Sequence, residues 1–283
     1  MSTTTDTTAP VAEAGRFAGL AGRLQGDPTG RARPLVLLHG LTFDHAMWNP
    51  VMNALPAGHA ALALDLPGHG DSPALPSHEL EAVATAVHDA VAAAGLRDPV
   101  LVGHSISAGV AGVYADRYGA AGVVNVDSSW RLEPFLRLVH QLAPRLRGDE
   151  FPAVWEMFRT SMHLDRVPEV SRALLAAGDD VPAQLVLSYW QKMLDSDQHE
   201  YLRELDEMLE RGRDLPYLVL FGSEPDRDER NWLLGRLPQA ELIVWPVGHH
   251  FPHLDDPQRF AELITAFTAA QHRTSASLRA PRT

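Results

Sequence analysis

Four short apolar runs, each ending in a polar residue, constrain the fold of this chain more than any other feature of its sequence. They are residues 34–39 (PLVLLH), 60–65 (AALALD), 99–104 (PVLVGH) and 122–127 (GVVNVD). Such runs are typical of strands that are buried on both faces of a parallel sheet. Residues 80–91 carry apolar side chains at three- and four-residue steps, which predicts a helix packed on that sheet. This alternation predicts an α/β fold with βα units around a mostly parallel sheet.

The strand pattern stops between residues 129 and 211, where helix-like segments rich in Leu, Met and Trp take its place. Prolines are predicted to break these segments at four positions: Pro144, Pro152, Pro168 and Pro182. Residues 129–211 are therefore predicted to form a helical cap that is inserted into the sheet-forming part of the chain.

Strand patterns resume at residues 216–221 (PYLVLF) and 240–245 (AELIVW), and a last helix is predicted near residues 257–270. We therefore assign the sheet-forming parts of the chain to one α/β core, which comprises residues 16–128 and 212–271. The two ends of the chain are polar and are predicted to be disordered tails, at residues 1–15 and 272–283.

The composition excludes several classes of function. The 283 residues contain 24 Lys plus Arg against 36 Asp plus Glu, a formal net charge of −12, so binding to nucleic acid is not expected. Because the chain has no cysteine, it offers no disulfide, thiol nucleophile or cysteine-bound metal. No window of about 18 consecutive apolar residues occurs, so no membrane span is predicted. The first residues lack the basic and apolar regions of a signal peptide, which predicts a cytoplasmic protein.

Residues 103–107 (GHSIS) directly follow a predicted strand and precede a helix-like stretch. A strand-to-helix turn this tight strains its central residue and requires small neighbours, which Gly103 and Ser107 provide. The hydroxyl of Ser105 would then project from the carboxyl edge of the sheet, where open α/β sheets bind their ligands. Ser105 is therefore the candidate nucleophile; the structural alternative is a serine that only caps the next helix.

A serine hydroxyl becomes a good nucleophile only when a base takes its proton, so a histidine is expected on another loop at the same edge. Residues 248–257 (GHHFPHLDDP) supply three. Together with the serine turn, this segment resembles the α/β-hydrolase family, whose base lies in a Gly-His-aromatic segment followed by an acidic residue and proline. His249 follows Gly248, whereas His250 precedes Phe251 and stands at the usual distance from Pro257. We therefore prefer His250 as the base.

The resemblance implies two places for the acid that orients the base. Family members most often carry it after the penultimate strand, where this chain has Pro225 flanked by Glu224 and Asp226. Others, among them haloalkane dehalogenases and certain lactone hydrolases, carry it after the strand before the cap, which here ends at Asp127. We prefer Asp127, with Asp226 and Glu224 as alternatives; a strand-end aspartate can also serve only to cap a turn.

The resemblance also implies an oxyanion hole. The backbone N–H after the nucleophile, that of Ile106, is one expected donor. The family places the second at the residue after His39 and Gly40, which is Leu41. His39 is expected to support this loop rather than to react.

Neither a metal nor a diffusible cofactor is predicted. The cluster of histidines and aspartates near His250 lacks the H-E-x-x-H spacing that places two ligands on one helical face. No glycine-rich loop has the spacing of a dinucleotide or phosphate site.

The cap is expected to roof the nucleophile and to set selectivity. Four of its aromatic residues are the predicted substrate contacts: Trp130, Trp155, Phe158 and Trp190. The alternative is that these side chains pack the cap's own small core. Because cationic anchors are few, with Lys192 the single lysine, the expected substrate is a neutral, fairly hydrophobic small molecule.

These features predict a serine hydrolase that cleaves a carboxylic ester or lactone through an acyl-enzyme intermediate. The same fold also hosts carbon–carbon bond hydrolases, perhydrolases and slow small-molecule sensors, which remain alternatives. The sequence does not predict the natural substrate or the oligomeric state.

Overall fold

The computed structural model describes residues 13–178 and 181–279, with side chains described up to residue 270. Its eight strands form one sheet in the order β1-β2-β4-β3-β5-β6-β7-β8, in which β2 is antiparallel to β1 and β4 and all other neighbours are parallel. The strands are β1 (Glu13–Phe17), β2 (Leu20–Gln25), β3 (Leu35–Leu38), β4 (Ala61–Leu64), β5 (Val100–His104), β6 (Gly122–Val126), β7 (Tyr217–Phe221) and β8 (Glu241–Val244). The predicted α/β class with a mostly parallel sheet is confirmed.

Helices cover both faces of the sheet, which is why its central strands read as continuous apolar runs. The helices are α1 (Asn49–Ala54), α2 (Leu80–Ala93), α3 (Ser107–Tyr118), α4 (Glu133–Leu146), α5 (Phe151–Ser161), α6 (Glu169–Arg172), α7 (Ala183–Asp195), α8 (Gln198–Arg211), α9 (Arg227–Arg236), α10 (Pro252–Asp255) and α11 (Pro257–Arg279). Alternate residues of β3 belong to two core layers, with Val36 among the side chains of α2 and α3 and Leu37 among those of α1 and α11. The described helices include none that is long and apolar enough to cross a membrane.

Helices α4 to α8 lie between β6 and β7, at the position of the predicted cap. Pro152 is in the first turn of α5, and Pro168 and Pro182 are the N-cap residues of α6 and α7, so these three prolines mark helix starts. Pro144 lies inside the last turn of α4, so the predicted break there is wrong. Pro144 has no N–H to donate to the carbonyl of His140, so α4 lacks one backbone hydrogen bond there but continues to Leu146.

The first two strands were not predicted. β1 begins at Glu13, inside the predicted tail 1–15, so that boundary is wrong by three residues; residues 1–12 lie outside the described part. At the other end α11 continues to Arg279, into the predicted tail 272–283, whose residues 280–283 lie outside the described part. The division into core and cap stays a prediction.

Candidate active site

The connection between β5 and α3 is a strained two-residue turn. β5 ends at His104 and α3 begins at Ser107, with Ser105 between them at φ 56°, in the left-handed region. A residue other than glycine costs about 1–2 kcal/mol of conformational free energy in this region. A Cβ on Gly103 would overlap the carbonyl of Ser107, so only glycine fits there. The turn places Ser105 on the wall of a cavity of about 620 Å³.

Ser107 occupies the position where the serine turn more often has glycine. The residue is fully buried, and its hydroxyl donates a hydrogen bond to the backbone carbonyl of His39. A buried hydroxyl costs little when it has such a partner. The departure from the family pattern therefore joins the serine turn to the loop after β3.

His250 and Asp127 are hydrogen-bonded to each other across the sheet edge. The distance from His250 Nδ1 to Asp127 Oδ2 is 2.7 Å, and Asp127 Oδ1 accepts the N–H of Gly222 at 2.6 Å. Burial raises the pKa of the Asp127 carboxyl, but the hydrogen bond and charge of His250 and the Gly222 N–H outweigh it, and the pKa lies below its ordinary value. A charged Asp127 holds the proton on Nδ1 and leaves Nε2 of His250 free to act as a base.

The alternative acids are engaged elsewhere. Asp226 is the N-cap of α9, where its Oδ1 accepts the N–H of Glu229 at 2.7 Å. Glu224 lies 2.6 Å from the guanidinium of Arg230 on the exposed surface. Neither carboxylate lines the cavity, so the structure brings Asp127, rather than Asp226 or Glu224, to His250.

His104 supports the histidine loop from beneath. Its ring is fully buried, and Nε2 lies 2.7 Å from the backbone carbonyl of His250, to which it donates. Burial, with the nearby His250, lowers the pKa of His104 well below its usual range, so the ring is neutral. Sequence reasoning missed this residue, although its position next to Ser105 at the end of β5 was a usable signal.

The other two histidines of the 248–257 segment make structural contacts. Nδ1 of His249 accepts the N–H of Phe251 at 3.2 Å, and its Nε2 lies 3.3 Å from Asp255 Oδ1. His253 is fully buried, with its ring centroid 4.4 Å from that of Trp48. Within the described part of the chain, no group of three or more His, Cys, Asp or Glu side chains is arranged to hold a metal ion.

The two predicted oxyanion donors, Leu41 and Ile106, both line the cavity beside Ser105. Neither backbone N–H has an acceptor among the described residues. Amide donors without an internal partner at a cavity wall are suited to hold a developing negative charge. Gly40 lets the loop before Leu41 pack closely against His104, because a Cβ at position 40 would lie 2.6 Å from His104 Nδ1.

His39 anchors the loop that carries Leu41. Its Nδ1 lies 2.7 Å from the carbonyl of Gly40, and its Nε2 accepts the N–H of Leu66 at 2.9 Å. Both ring nitrogens are therefore used within the protein, and burial lowers the pKa of the ring, which keeps it neutral. The ring joins the loop after β3 to the turn after β4.

The cavity has a volume of about 620 Å³ and is lined by all four predicted substrate contacts. Trp155, Phe158 and Trp190 also pack against one another, with Phe158 5.3 Å from Trp190 between ring centroids and Trp155 6.0 Å from it. These aromatic residues therefore form both the packing of the helical segment and the cavity wall. Phe135, which sequence reasoning missed, adds an edge-to-face contact to Trp190 at 5.6 Å.

Carboxylates outnumber cationic side chains on the cavity wall. The wall has six carboxylates (Glu79, Glu81, Asp116, Asp127, Glu204 and Glu207) and four cationic side chains (Arg117, Arg131, Lys192 and Arg211). Lys192 lies 3.2 Å from Glu81 and 3.0 Å from Glu204. The guanidinium of Arg211 donates two hydrogen bonds of 2.8 Å to Asp116. Because the carboxylates are in excess and two of the cations are already paired, the wall gives the cavity little net attraction for an anion.

The family follows from these features together with a sequence comparison. A family model described as the alpha/beta hydrolase family matches residues 35–263, which is most of the chain. The chain belongs to the α/β-hydrolase family, and the resemblance stated from the sequence is confirmed.

Individual relatives are more distant. A 2-succinyl-6-hydroxy-2,4-cyclohexadiene-1-carboxylate synthase of Yersinia pseudotuberculosis is 28% identical over 245 residues, covering 82% of this chain and 86% of that protein. An enol-lactonase from Burkholderia xenovorans superposes with a TM-score of 0.72 at 18% identity, covering 91% of this chain and 100% of the other. A thermophilic esterase from Thermogutta terrifontis superposes with a TM-score of 0.66 at 23% identity, covering 89% of this chain and 95% of the other. At these identities, the structural matches show the shared fold.

Proposed function

We propose that this hydrolase-family enzyme cleaves a neutral, fairly hydrophobic carboxylic ester or lactone, with Ser105 as nucleophile, His250 as base and Asp127 as orienting acid. The observation that carries the proposal is the 2.7 Å contact from His250 Nδ1 to Asp127 at the wall of the cavity that Ser105 also lines. A serine in a strained turn and a histidine held by a partly buried carboxylate are the parts that acyl transfer needs.

The reaction proceeds in two steps. His250 Nε2 takes the proton of Ser105, whose oxygen attacks the substrate carbonyl, and the N–H groups of Leu41 and Ile106 bind the oxyanion. Collapse of the intermediate breaks the ester C–O bond, and His250 gives its proton to the departing alkoxide. Water, deprotonated by His250, then attacks the acyl-enzyme; the bond to the Ser105 oxygen breaks, His250 returns its proton to that oxygen, and the acid is released. For a lactone the alcohol and the acid are the two ends of one product.

The substrate class follows from the cavity wall. Burial of apolar substrate surface against Trp155, Phe158 and Trp190 favours a hydrophobic molecule. The wall carries six carboxylates against four cationic side chains, and Lys192 and Arg211 are each already paired with a carboxylate, so the wall disfavours a free anionic substrate. Both features support a neutral ester or lactone.

The test is steady-state hydrolysis of a panel of p-nitrophenyl esters and macrocyclic lactones by the wild type and by Ser105→Ala. We expect many turnovers by the wild type and none above background by the variant. Release of a single equivalent of p-nitrophenol, without turnover, would instead identify a slow sensor. Unchanged hydrolysis by Ser105→Ala would exclude Ser105 as the nucleophile.

A second candidate comes from the Yersinia relative, whose name describes a synthase that makes a carboxylated cyclohexadiene. The product in that name carries two carboxylates, so a protein with the same role needs cationic anchors that are free to bind them. Inhibition of ester hydrolysis by 2-succinylbenzoate, compared with its dimethyl ester, separates the candidates. Tighter inhibition by the dicarboxylate would favour the synthase, and tighter inhibition by the neutral diester would favour the proposed hydrolase.

A further inference from the structure

A second cavity of about 340 Å³ lies directly beside the active-site cavity. The two cavities share four lining residues: Asp116, Trp130, Met208 and Arg211. The remaining wall of the second cavity comes from α3, β6, the end of α8 and the start of β7. Its side chains there are mostly apolar, including Ala115, Val123 and Leu215.

A thin partition separates the two cavities at Gly112 of α3. A Cβ on this glycine would lie 3.2 Å from Met208 Cε and 3.3 Å from Trp130 Cη2, so both side chains reach the helix backbone at this point. Because Gly112 has no side chain, it leaves the space that Met208 and Trp130 occupy. The partition is therefore only as thick as these two side chains.

The two side chains of the partition differ in how firmly they are held. The indole N–H of Trp130 donates a 2.8 Å hydrogen bond to the hydroxyl of Tyr217, which is itself buried. Met208 is an unbranched thioether with three rotatable side-chain bonds and only apolar contacts to hold it. Met208 is therefore the side chain of the two that can change rotamer, whereas a hydrogen bond holds Trp130.

We propose that the second cavity is an acyl-chain subsite of the active site, entered past Met208, which takes the unbranched apolar chain of a long-chain ester. This inference rests on the proposed ester hydrolysis and adds the substrate class.

The position of His250 indicates that the second cavity takes the acyl part of the ester rather than its alcohol part. This residue gives its proton to the leaving alkoxide, so the alcohol must depart next to the histidine loop. That loop packs through Phe251 into the core layer of α1 and α11. Val123, Met208 and Leu237 of the second cavity belong to the opposite layer, with α2 and α3. An acyl chain directed away from His250 therefore extends toward the second cavity.

The experiment measures kcat/KM for p-nitrophenyl acetate, butyrate, octanoate and dodecanoate with wild type, Met208→Ala and Met208→Phe. Met208→Ala removes the movable part of the partition, so we expect the ratio of dodecanoate to acetate kcat/KM to rise about tenfold, as two further buried methylenes would produce. Met208→Phe fills the opening, and we expect the same ratio to fall by about tenfold. Acetate esters of long alcohols serve as the comparison series, in which neither variant is expected to change chain-length preference.

A variant at the far wall separates this subsite from a general widening of the active site. Ala115→Leu fills the second cavity from an α3 position that does not line the first, and leucine is a good helix former. Combined with Met208→Ala, it is expected to remove the gain for dodecanoate. A gain that survives in the double variant, or an equal gain in the long-alcohol series, would overturn the inference.

A binding measurement keeps the subsite distinguishable from the proposed chemistry. Titration calorimetry with methyl undecyl ketone, a neutral probe, is expected to show affinity about tenfold weaker for Met208→Phe than for the wild type. Equal affinities would overturn the subsite even if esters are hydrolysed. Absence of ester turnover together with the expected loss of binding would refute the proposed function and leave the chain-binding cavity established. Melting temperatures of all variants check that they fold.

Discussion

Replacing Asp127 by Asn keeps the shape of the side chain but turns one of its two acceptor oxygens into a donor. Oδ1 accepts the N–H of Gly222 at 2.6 Å, and that N–H needs an acceptor because it is held by the backbone between β7 and the histidine loop. The Asn carbonyl oxygen therefore stays at Gly222, and its NH₂ group faces His250. Nδ1 of His250 must then accept, which moves the ring proton to Nε2, where the base should be free.

The size of the effect follows from this change of tautomer. A histidine with its proton on Nε2 cannot accept the proton of Ser105, and the corresponding loss in a serine-histidine-aspartate site is about 10⁴-fold in kcat. That factor corresponds to ~5 kcal/mol of transition-state stabilisation. The substrate contacts are untouched, so KM is expected to change much less than kcat.

The assay is steady-state hydrolysis of p-nitrophenyl butyrate, with circular dichroism to verify folding. Asp226→Asn is the matched control, since Asn also caps helices well and the 3.7 Å contact of Asp226 with Arg131 is a weak surface pair. We expect its kcat to stay within about twofold of wild type. A larger loss for Asp226→Asn than for Asp127→Asn would refute the assignment of the acid.

Three further predictions concern the turn and a charged pair. Ser105→Gly should be more stable than Ser105→Ala by ~1 kcal/mol in urea unfolding, because glycine accepts φ 56° freely; equal stabilities would contradict the strain. Gly103→Ala should destabilise by about 2 kcal/mol through backbone overlap, whereas Gly235→Ala, in α9 with nothing within 4 Å of the new Cβ, should not. The 2.6 Å hydrogen bond to Asp65 raises the pKa of His45, although burial acts in the opposite direction. The pair therefore stabilises the folded protein fully below about pH 6.5, and this contribution is lost as the pH rises through the raised pKa. The stability advantage of wild type over His45→Gln should therefore shrink as the pH rises above about 6.5, and a growing advantage would contradict the pairing.

The central strands could be predicted because their environment leaves a strong local pattern. β3 and β5 are covered on both faces, so every residue is apolar or tightly packed and the run is unmistakable. β1 lies at the edge of the sheet with most of its residues exposed, and it contains Gly, Arg and Glu. Nothing in such a stretch distinguishes an edge strand from a polar tail.

The site divides in the same way. The position of Ser105 depends on a strand, a turn and a helix that are adjacent in sequence, so local reasoning reached it. The choice between Asp127 and Asp226 depends on which strand end faces His250, and this is a property of the order of strands in the sheet. The contact of His104 with the carbonyl of His250 joins residues 146 positions apart in the chain. Local patterns do not encode such distances.

The partition at Met208 escaped prediction for a different reason. A methionine in a helix rich in charged residues indicates only a buried face of that helix. Its place between two cavities depends on how α8 packs against α3, which Gly112 makes possible. A glycine inside a predicted helix was the only signal available in the sequence.

Helix α8 lines both cavities and also forms part of the connection between β6 and β7. Because β6 and β7 are parallel, the chain that leaves the carboxyl end of β6 must return to the amino end of β7, and α8 makes the last part of that return. The Arg211–Asp116 pair ties its end to α3. A change in α8 therefore alters the wall that the two cavities share and the crossover between β6 and β7 at the same time.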